Sequence, residues 1–109
     1  MINSVELTAA VKGIITKAQL IDTGLLLNTV QVNYSVSGTT IAIVIVAQEY
    51  FKYHLEEINF EKSFTSSPAF DQLVGRVYSP IIERAVQQSV DTGVDFQFNP
   101  HITVDFQWL

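Results

Sequence analysis

Two histidines and a pair of adjacent glutamates are the side chains whose types could support metal binding or acid–base chemistry. His54 and Glu57 are three residues apart, a spacing that places two potential ligands on one face of a helix. One such pair is too few for a metal site, and His101 follows a proline in a predicted turn. Glu56 and Glu57 are adjacent, so their side chains point in different directions. We therefore expect no metal, no cofactor and no catalytic group among these residues.

The tripeptide Asp-Thr-Gly occurs twice, at 22–24 and at 91–93. Aspartic proteases use this tripeptide to place two carboxylates side by side, where they share one proton. Here each copy follows an apolar pattern with helical spacing, whereas the protease aspartate lies on a tight loop after a strand. Leu25 and Val94 stand where a small residue usually follows the glycine, and no glycine-rich flap lies between the copies. We interpret both glycines as helix ends and expect no peptidase activity from Asp22 and Asp91.

Composition narrows the classes of function further. The 109 residues suffice for one domain, residues 1–109, and no phosphate-binding loop, nucleophile elbow or dinucleotide fingerprint appears. Hydrophobic residues make up 48% of the chain and charged residues only 16%, which indicates either a compact core or apolar surface that meets other subunits. The sequence therefore predicts a folded protein that is not an enzyme.

Charge and cysteine content exclude several partners. The net charge is −5 and the six basic residues are scattered, which disfavours direct, sequence-specific binding of nucleic acid. The absence of cysteine excludes disulfides, a thiolate nucleophile and cysteine-ligated zinc. The longest apolar run, Ile41–Ala47, is too short to span a bilayer, and no basic region followed by an apolar run marks a secretory signal. We expect no membrane partner.

The periodicity of the first half predicts a helix and then a β-hairpin. Asn3 and Glu6 have the spacing of a capping box, an apolar stripe of helical spacing follows, and Gly24 is the expected helix end. Alternating residues and a Ser-Gly turn then predict a hairpin over Val30–Val46. Its second strand contains the continuous apolar run Ile41–Val46, which favours a strand covered on both faces.

The second half predicts a long helix and a final strand. Glu49–Phe60 is rich in aromatic and acidic residues, and we interpret it as a short helix or turn leading into an irregular loop. A Ser-Pro pair then opens a helix over Ser67–Val90, which Pro80 must kink or split. Alternation over Ile102–Trp108 predicts a C-terminal strand in the same sheet, with a further short strand at Phe96–Phe98 as an alternative.

Together these elements predict an α+β fold. The sheet is expected to be antiparallel, built from the hairpin and the C-terminal strand or strands, with the N-terminal helix and the long Pro-kinked helix packed on one face. The other face is expected to be hydrated or covered by another molecule. A parallel sheet would contradict this prediction.

Two stretches, 21–30 and 47–56, carry short motifs in a fixed order. The motifs and their order resemble those of the small tail-completion or neck proteins of tailed bacteriophages, over roughly residues 5 to 90. Leu25 stands where that family often has arginine, and Glu57-Ile58-Asn59 replaces a Gly-Thr that tends to follow the glutamate. The matching positions are Leu26 or Leu27, Asn28-Thr29, Tyr50, Tyr53, Glu56 and Pro68-Ala69.

The resemblance implies a structural role in the virion. Such proteins form rings at the junction of capsid and tail, beside the connector and the tail proteins, and they catalyse nothing. The implied partners are copies of the chain itself and those neighbours, first in the host cytoplasm and then in the particle. A small ligand-binding or enzymatic α+β domain, and a bacterial adaptor protein, are the alternatives. The candidate interface residues are Tyr50, Tyr53, Glu56, Phe60, Phe106 and Trp108.

Overall fold

The structure is a computed structural model that describes residues 1–19, 23–93 and 98–109. Its helices and one four-stranded sheet form an α+β fold with the helices packed on one face, which confirms the predicted fold class. None of the helices in these ranges combines the length and apolar character needed to cross a bilayer. The elements are β1 (Ile2–Asn3), α1 (Val5–Ala18), α2 (Thr23–Thr29), β2 (Gln31–Ser37), β3 (Thr40–Ala47), a 3₁₀ helix (Glu49–His54), α3 (Phe60–Thr65), α4 (Pro68–Thr92) and β4 (His101–Trp108).

The sheet has the strand order β1-β2-β3-β4 and mixes the two strand directions. β1, β2 and β3 are antiparallel neighbours, and the predicted hairpin is confirmed. β4 joins the same sheet as predicted, but it runs parallel to β3, so the prediction of an antiparallel sheet is wrong for this strand pair. The connection explains the direction: Tyr78 of α4 donates its hydroxyl hydrogen to Thr39 O (2.6 Å), so the chain has returned to the start of β3 before β4 begins.

One face of β3 is buried and the other is partly exposed. Ile41, Ile43 and Ile45 are buried under the helices, whereas the alternate residues Ala42 and Val44 remain partly exposed. The prediction that this strand is covered on both faces was therefore wrong for the described residues. β-Branched residues favour a central strand even on its open face, which explains the continuous apolar run.

The two ends of α1 differ from the prediction. Ser4, not Asn3, is the N-cap: its Oγ accepts a hydrogen bond from Leu7 N (3.1 Å). Asn3 belongs to β1 and donates to Asn33 Oδ1 (3.3 Å), so its side chain is used for strand pairing instead. α1 ends at Ala18. Gly24 is therefore not the end of this helix but the second residue of α2, and Asp22 lies outside the described residues.

The long helix begins and ends as its sequence predicts. Ser67 Oγ caps it by accepting from Phe70 N (3.3 Å), and Gly93 closes it with a positive φ of 72°. Pro80 lies inside one continuous helix, so it does not split the element. Its buried residues end at Tyr78, and the following turns carry exposed side chains such as Val90. The last turns therefore project from the body, which gives the molecule a longest dimension of 58 Å.

The segment between β3 and α4 is more regular than predicted. The short helix is confirmed as a 3₁₀ helix, but the expected irregular loop contains α3, which begins at Phe60 and buries Phe60 and Phe64. The predicted short strand at Phe96–Phe98 falls largely outside the described residues. Phe98 itself lies before β4, with its ring 5.1 Å from that of Tyr78.

Candidate functional site

An apolar groove runs along β4, and we call it the β4 groove. One wall is the sheet and the other is formed by α3 and its flanking segments, and the volume is about 560 Å³. Four polar residues stand among the apolar ones. The groove is lined by Leu55, Glu56, Asn59, Phe60, Glu61, Phe64, Thr65, Phe70, Ile102, Val104 and Phe106.

The sheet wall follows from the register of β4. Ile102, Val104 and Phe106 are level with Ile41, Ile43 and Ile45 of β3, and partners in a ladder point to the same face. The β3 residues are buried, but their β4 partners remain partly exposed. β4 is an edge strand, and the helical layer covers it only in part. The alternating apolar pattern that looks like core in the sequence thus continues past the edge of the core.

Aromatic rings form the floor of the groove at its α3 end. The Phe60 ring lies 5.6 Å from that of Phe106 and 5.4 Å from that of Phe51. Phe60 also stacks on Phe64, at 5.6 Å and 9°. At the end of β4, Trp108 stacks on Phe106 at 4.8 Å and 7°. Such ring pairs add roughly 0.5–1.5 kcal/mol each, so they help to hold the floor together.

Acidic side chains stand at the rim of the groove. Glu56 and Glu61 line it and are both exposed. Outside it, Lys52 Nζ lies 2.8 Å from Glu49 Oε1, and this hydrogen bond lowers the pKa of Glu49 and raises that of Lys52. His54 Nδ1 lies 3.2 Å from Glu57 Oε2, so the predicted spacing does bring these two side chains together. The groove therefore combines an apolar floor with a negative rim.

Three of the six candidate interface residues meet in the β4 groove. Glu56 lies at its rim, Phe106 on its sheet wall and Phe60 on its floor. The Phe60 side chain is buried in its own subunit, so it supports the groove and offers little surface to a neighbour. Trp108 adjoins the groove through its stacking on Phe106 and is partly exposed.

The other two candidates lie on the 3₁₀ helix and are not part of the groove lining. Tyr50 is partly buried against the core. Tyr53 is 71% exposed, and Lys52 Nζ lies 5.1 Å from the centre of its ring, within the range of a cation–π contact. Tyr53 therefore presents an aromatic surface to solvent on a different part of the molecule from Phe106.

Sequence reasoning missed part of the helical wall. Phe64 and Phe70 line the groove, yet both fell outside the candidate interface residues. Phe64 lay in the expected loop. The signal that could have found α3 is the spacing of Phe60 and Phe64, four residues apart, which places both rings on one helix face.

The polar side chains that could take part in catalysis or metal binding remain dispersed in the described part of the chain. No group of three or more His, Asp or Glu side chains in these ranges could hold a metal ion. Asp91 is exposed and accepts a hydrogen bond from Gln87 Nε2 (3.1 Å). His101 is exposed at the start of β4. What the arrangement offers is binding of an apolar surface in the β4 groove.

No protein-family model matches the chain, and neither a search of curated proteins nor a search of solved structures found a match.

Proposed function

We propose that this chain is a structural virion protein of a tailed phage, which forms a ring at the head–tail junction and joins the capsid connector to the tail. The observation that carries the proposal is the β4 groove. It places a row of partly exposed apolar side chains, including Phe106 and Trp108, along an open sheet edge. A single copy leaves this surface in water, and a neighbouring protein would bury it.

Burial of the groove would yield a useful binding free energy. Apolar surface removed from water contributes about 25 cal/mol per Å². Tyr and Trp are also the residues that most often dominate binding energy at protein interfaces. Trp108 and Tyr53, both at least partly exposed, supply this kind of contact at two places on the molecule. Contacts at several places are what a protein needs if it is to join different neighbours.

The phage assignment is supported by the sequence motifs. Tyr50, Tyr53 and Glu56, which follow the order seen in the neck proteins, lie in or just after the 3₁₀ helix, and Glu56 lines the β4 groove. The order of elements, helix then hairpin then long helix, also agrees with that resemblance. One motif residue, Glu56, thus lies at the rim of the surface that we propose for assembly, whereas Leu26 is a core residue.

Two observations test the proposal. The genes beside this one are expected to encode portal, capsid and tail-tube proteins. Mass spectrometry of purified virions is expected to detect the chain in several copies per particle, at a ratio to the portal protein that is constant between preparations. Absence of the chain from purified particles that carry tails would refute the proposed function.

The volume of the β4 groove favours one alternative, a small domain that binds an apolar ligand. About 560 Å³ lies within the usual range of small-molecule sites, and the lining is mostly aliphatic and aromatic. Native mass spectrometry of the purified protein separates the two proposals. A constant added mass that is lost in a groove variant such as Val104→Glu would support the ligand-binding function, whereas a bare chain would support the assembly function.

A further inference from the structure

The sheet has a second apolar edge, opposite the β4 groove, which we call the β1 edge. It consists of three exposed apolar residues, Ile2, Val5 and Val36, together with Lys12 of α1. Ile2 is 57% exposed, Val5 74% and Val36 44%. β1 is only two residues long, so it covers little of β2. The molecule therefore leaves apolar side chains in water at both ends of the same sheet.

We infer that the β1 edge of one copy docks against β4 and the β4 groove of a second copy, so that the sheet continues from subunit to subunit. This inference rests on the proposed function and specifies its contact between copies. A contact between two unlike edges is heterologous, and each copy can make it twice, once with each edge. Repetition of such a contact gives a closed ring when the rotation between copies closes.

The apolar residues of the two edges lie at matching positions along the strand direction. Val36 is level with Ile102, because both pair with Ile41 of β3. Ile2 pairs with Tyr34, which the ladder places level with Val104.

Val5 provides the third matching position, at the Val32 end of the β1 edge. It follows Ser4, whose backbone nitrogen donates to Val32 O (2.9 Å), and Val32 is level with Phe106. The apolar residues thus span about 13 Å on each edge, four residue steps of about 3.3 Å.

The strand directions also match. β1 is antiparallel to β2, β2 is antiparallel to β3, and β3 is parallel to β4, so β1 and β4 run the same way. A rotation about an axis roughly along the strands keeps this direction. It therefore brings β1 of one copy beside β4 of the next as a parallel pair, with the helices of both copies on the same face.

β4 has an open edge with little protection against strand pairing. Its end residues donate toward β3, with His101 N at 3.1 Å from Thr39 O and Leu109 N at 2.9 Å from Ala47 O. In such a ladder the alternate residues, which include Val104, direct their backbone groups to the outer edge. Pairing with β3 is unbroken over eight residues, and the strand contains no Lys, Arg or Pro. Its one carboxylate, Asp105, lies on the face opposite to Val104 and Phe106. Edges that must stay single usually carry several charged side chains, especially Lys, or a proline or a bulge.

Charge supports a second copy as the occupant. The rim of the β4 groove carries Glu56 and Glu61, and Lys62 is outside its lining. On α1, Lys12 lies on the same flank as Val5, seven residues or two turns away, and together they line a hollow at the β1 edge. Glu6 follows Val5 but points about 100° further round the helix. The β1 edge thus carries a positive group and the β4 groove a negative rim, and these opposite charges favour contact between the two edges.

The absence of cysteine from the chain makes a cross-linking test clean. Two single variants, Ile2→Cys and Val104→Cys, are purified separately, mixed at the highest soluble concentration and oxidised. We expect most of the mixture to shift to the mass of two disulfide-linked chains. Each variant oxidised alone, and a mixture of Ile2→Cys with Glu83→Cys on exposed α4, should stay at the mass of one chain. Circular dichroism confirms that each variant is folded.

Two results of this test overturn the inference. Self-linking of Val104→Cys as strong as the mixed linkage would show that β4 pairs with itself around a two-fold axis. No linkage in the mixture, with both variants folded, would show that the two edges do not meet.

A charge exchange gives an independent check with exposed residues that should not affect folding. Lys12→Glu and Glu56→Lys each place like charges opposite each other in the proposed contact, so each is expected to reduce mixed cross-linking several-fold when introduced into both cysteine variants. The double variant Lys12→Glu/Glu56→Lys restores opposite charges and is expected to recover it. Loss that is not recovered in the double variant contradicts the proposed pairing of these edges.

Cross-linking and the protein content of virions together test this inference separately from the proposed function. Presence of the chain in virions together with failed cross-linking rejects the edge contact and leaves the function standing. Successful cross-linking of a chain that is absent from virions supports the contact and rejects the function.

Discussion

Two aromatic clusters meet at the β4 groove, and they differ in their surroundings rather than in their composition. Phe51, Phe60 and Phe64 are enclosed between helices and the centre of the sheet. Phe106 contacts this cluster and Trp108 stacks on Phe106, yet both remain partly exposed because their strand is at an edge. The position of a strand in the sheet therefore decides whether an aromatic side chain stabilises the fold or remains available to a partner.

Removal of a ring from the enclosed cluster should have the largest effect on the free energy of unfolding. Phe64→Ala is expected to lower the free energy of unfolding by about 3–5 kcal/mol, because a cavity forms where the neighbouring rings cannot collapse. Chemical denaturation followed by circular dichroism measures this change. A loss below about 1 kcal/mol would show that this ring is not part of a tightly packed core.

Trp108→Ala should separate stability from assembly. The side chain is already partly exposed, so we expect a loss of only about 1–2 kcal/mol in unfolding free energy from the lost stacking on Phe106. Assembly should be lost. Because Trp108 is the only tryptophan, its emission in the wild-type chain should shift to shorter wavelength as copies associate. A Trp108→Ala variant that is unfolded would place this residue with the enclosed cluster.

Tyr78→Phe tests how α4 is fixed beside the groove. The hydroxyl donates to Thr39 O at 2.6 Å, with His101 O also within 3.3 Å, at the start of β3 and β4. Loss of this hydrogen bond should cost about 1 kcal/mol. Hydrogen exchange should increase mainly in α4 and at the beginning of β4, and an increase spread evenly over the sheet would argue against this local role.

Exposed residues on the 3₁₀ helix and α3 should affect stability least. Tyr53→Ala and Lys62→Ala are both expected to change the free energy of unfolding by less than about 0.5 kcal/mol. Assembly should distinguish them, because an exposed tyrosine can anchor an interface whereas an exposed lysine adds little. Sedimentation velocity at a series of concentrations measures the difference. Equal effects of the two variants on association would remove Tyr53 from the interface.

The two Asp-Thr-Gly aspartates should have no role in catalysis. Asp22→Asn combined with Asp91→Asn is expected to alter stability only, since Asp91 is an exposed side chain near the end of α4 that bonds to Gln87. Cleavage of an unstructured protein substrate by the wild-type chain is the assay. Pepstatin-sensitive cleavage that disappears in the double variant would contradict this expectation.

Elements whose sequence signals lie within a few neighbouring residues could be predicted from the sequence. The hairpin follows from alternation and from Gly38, whose positive φ of 60° suits the turn. The start of α4 follows from Ser67 and the proline after it. The capping-box spacing predicts Asn3 as the first cap, whereas Ser4 takes this position in the structure. Both side chains can cap a helix, and only the pairing of β1 with β2 decides between them.

Long-range contacts determined what the sequence could not show. Alternation in β4 specifies which side chains share a face but not the strand direction, so the parallel pairing with β3 depends on the path of α4. Likewise, the sequence pattern predicts both Phe60 and Phe106 as interface residues and does not distinguish between them. Only their places in the fold, one enclosed and one at an edge, separate them.

The most direct test of the proposed role is a cryo-electron microscopy reconstruction of the virion that contains this chain. We expect a ring of symmetry-related copies at the head–tail junction, with β4 and the β4 groove covered by a neighbouring chain and with Trp108 buried between subunits. A particle with a complete neck in which this chain is absent, or in which Trp108 and the groove face solvent in every copy, would contradict the account.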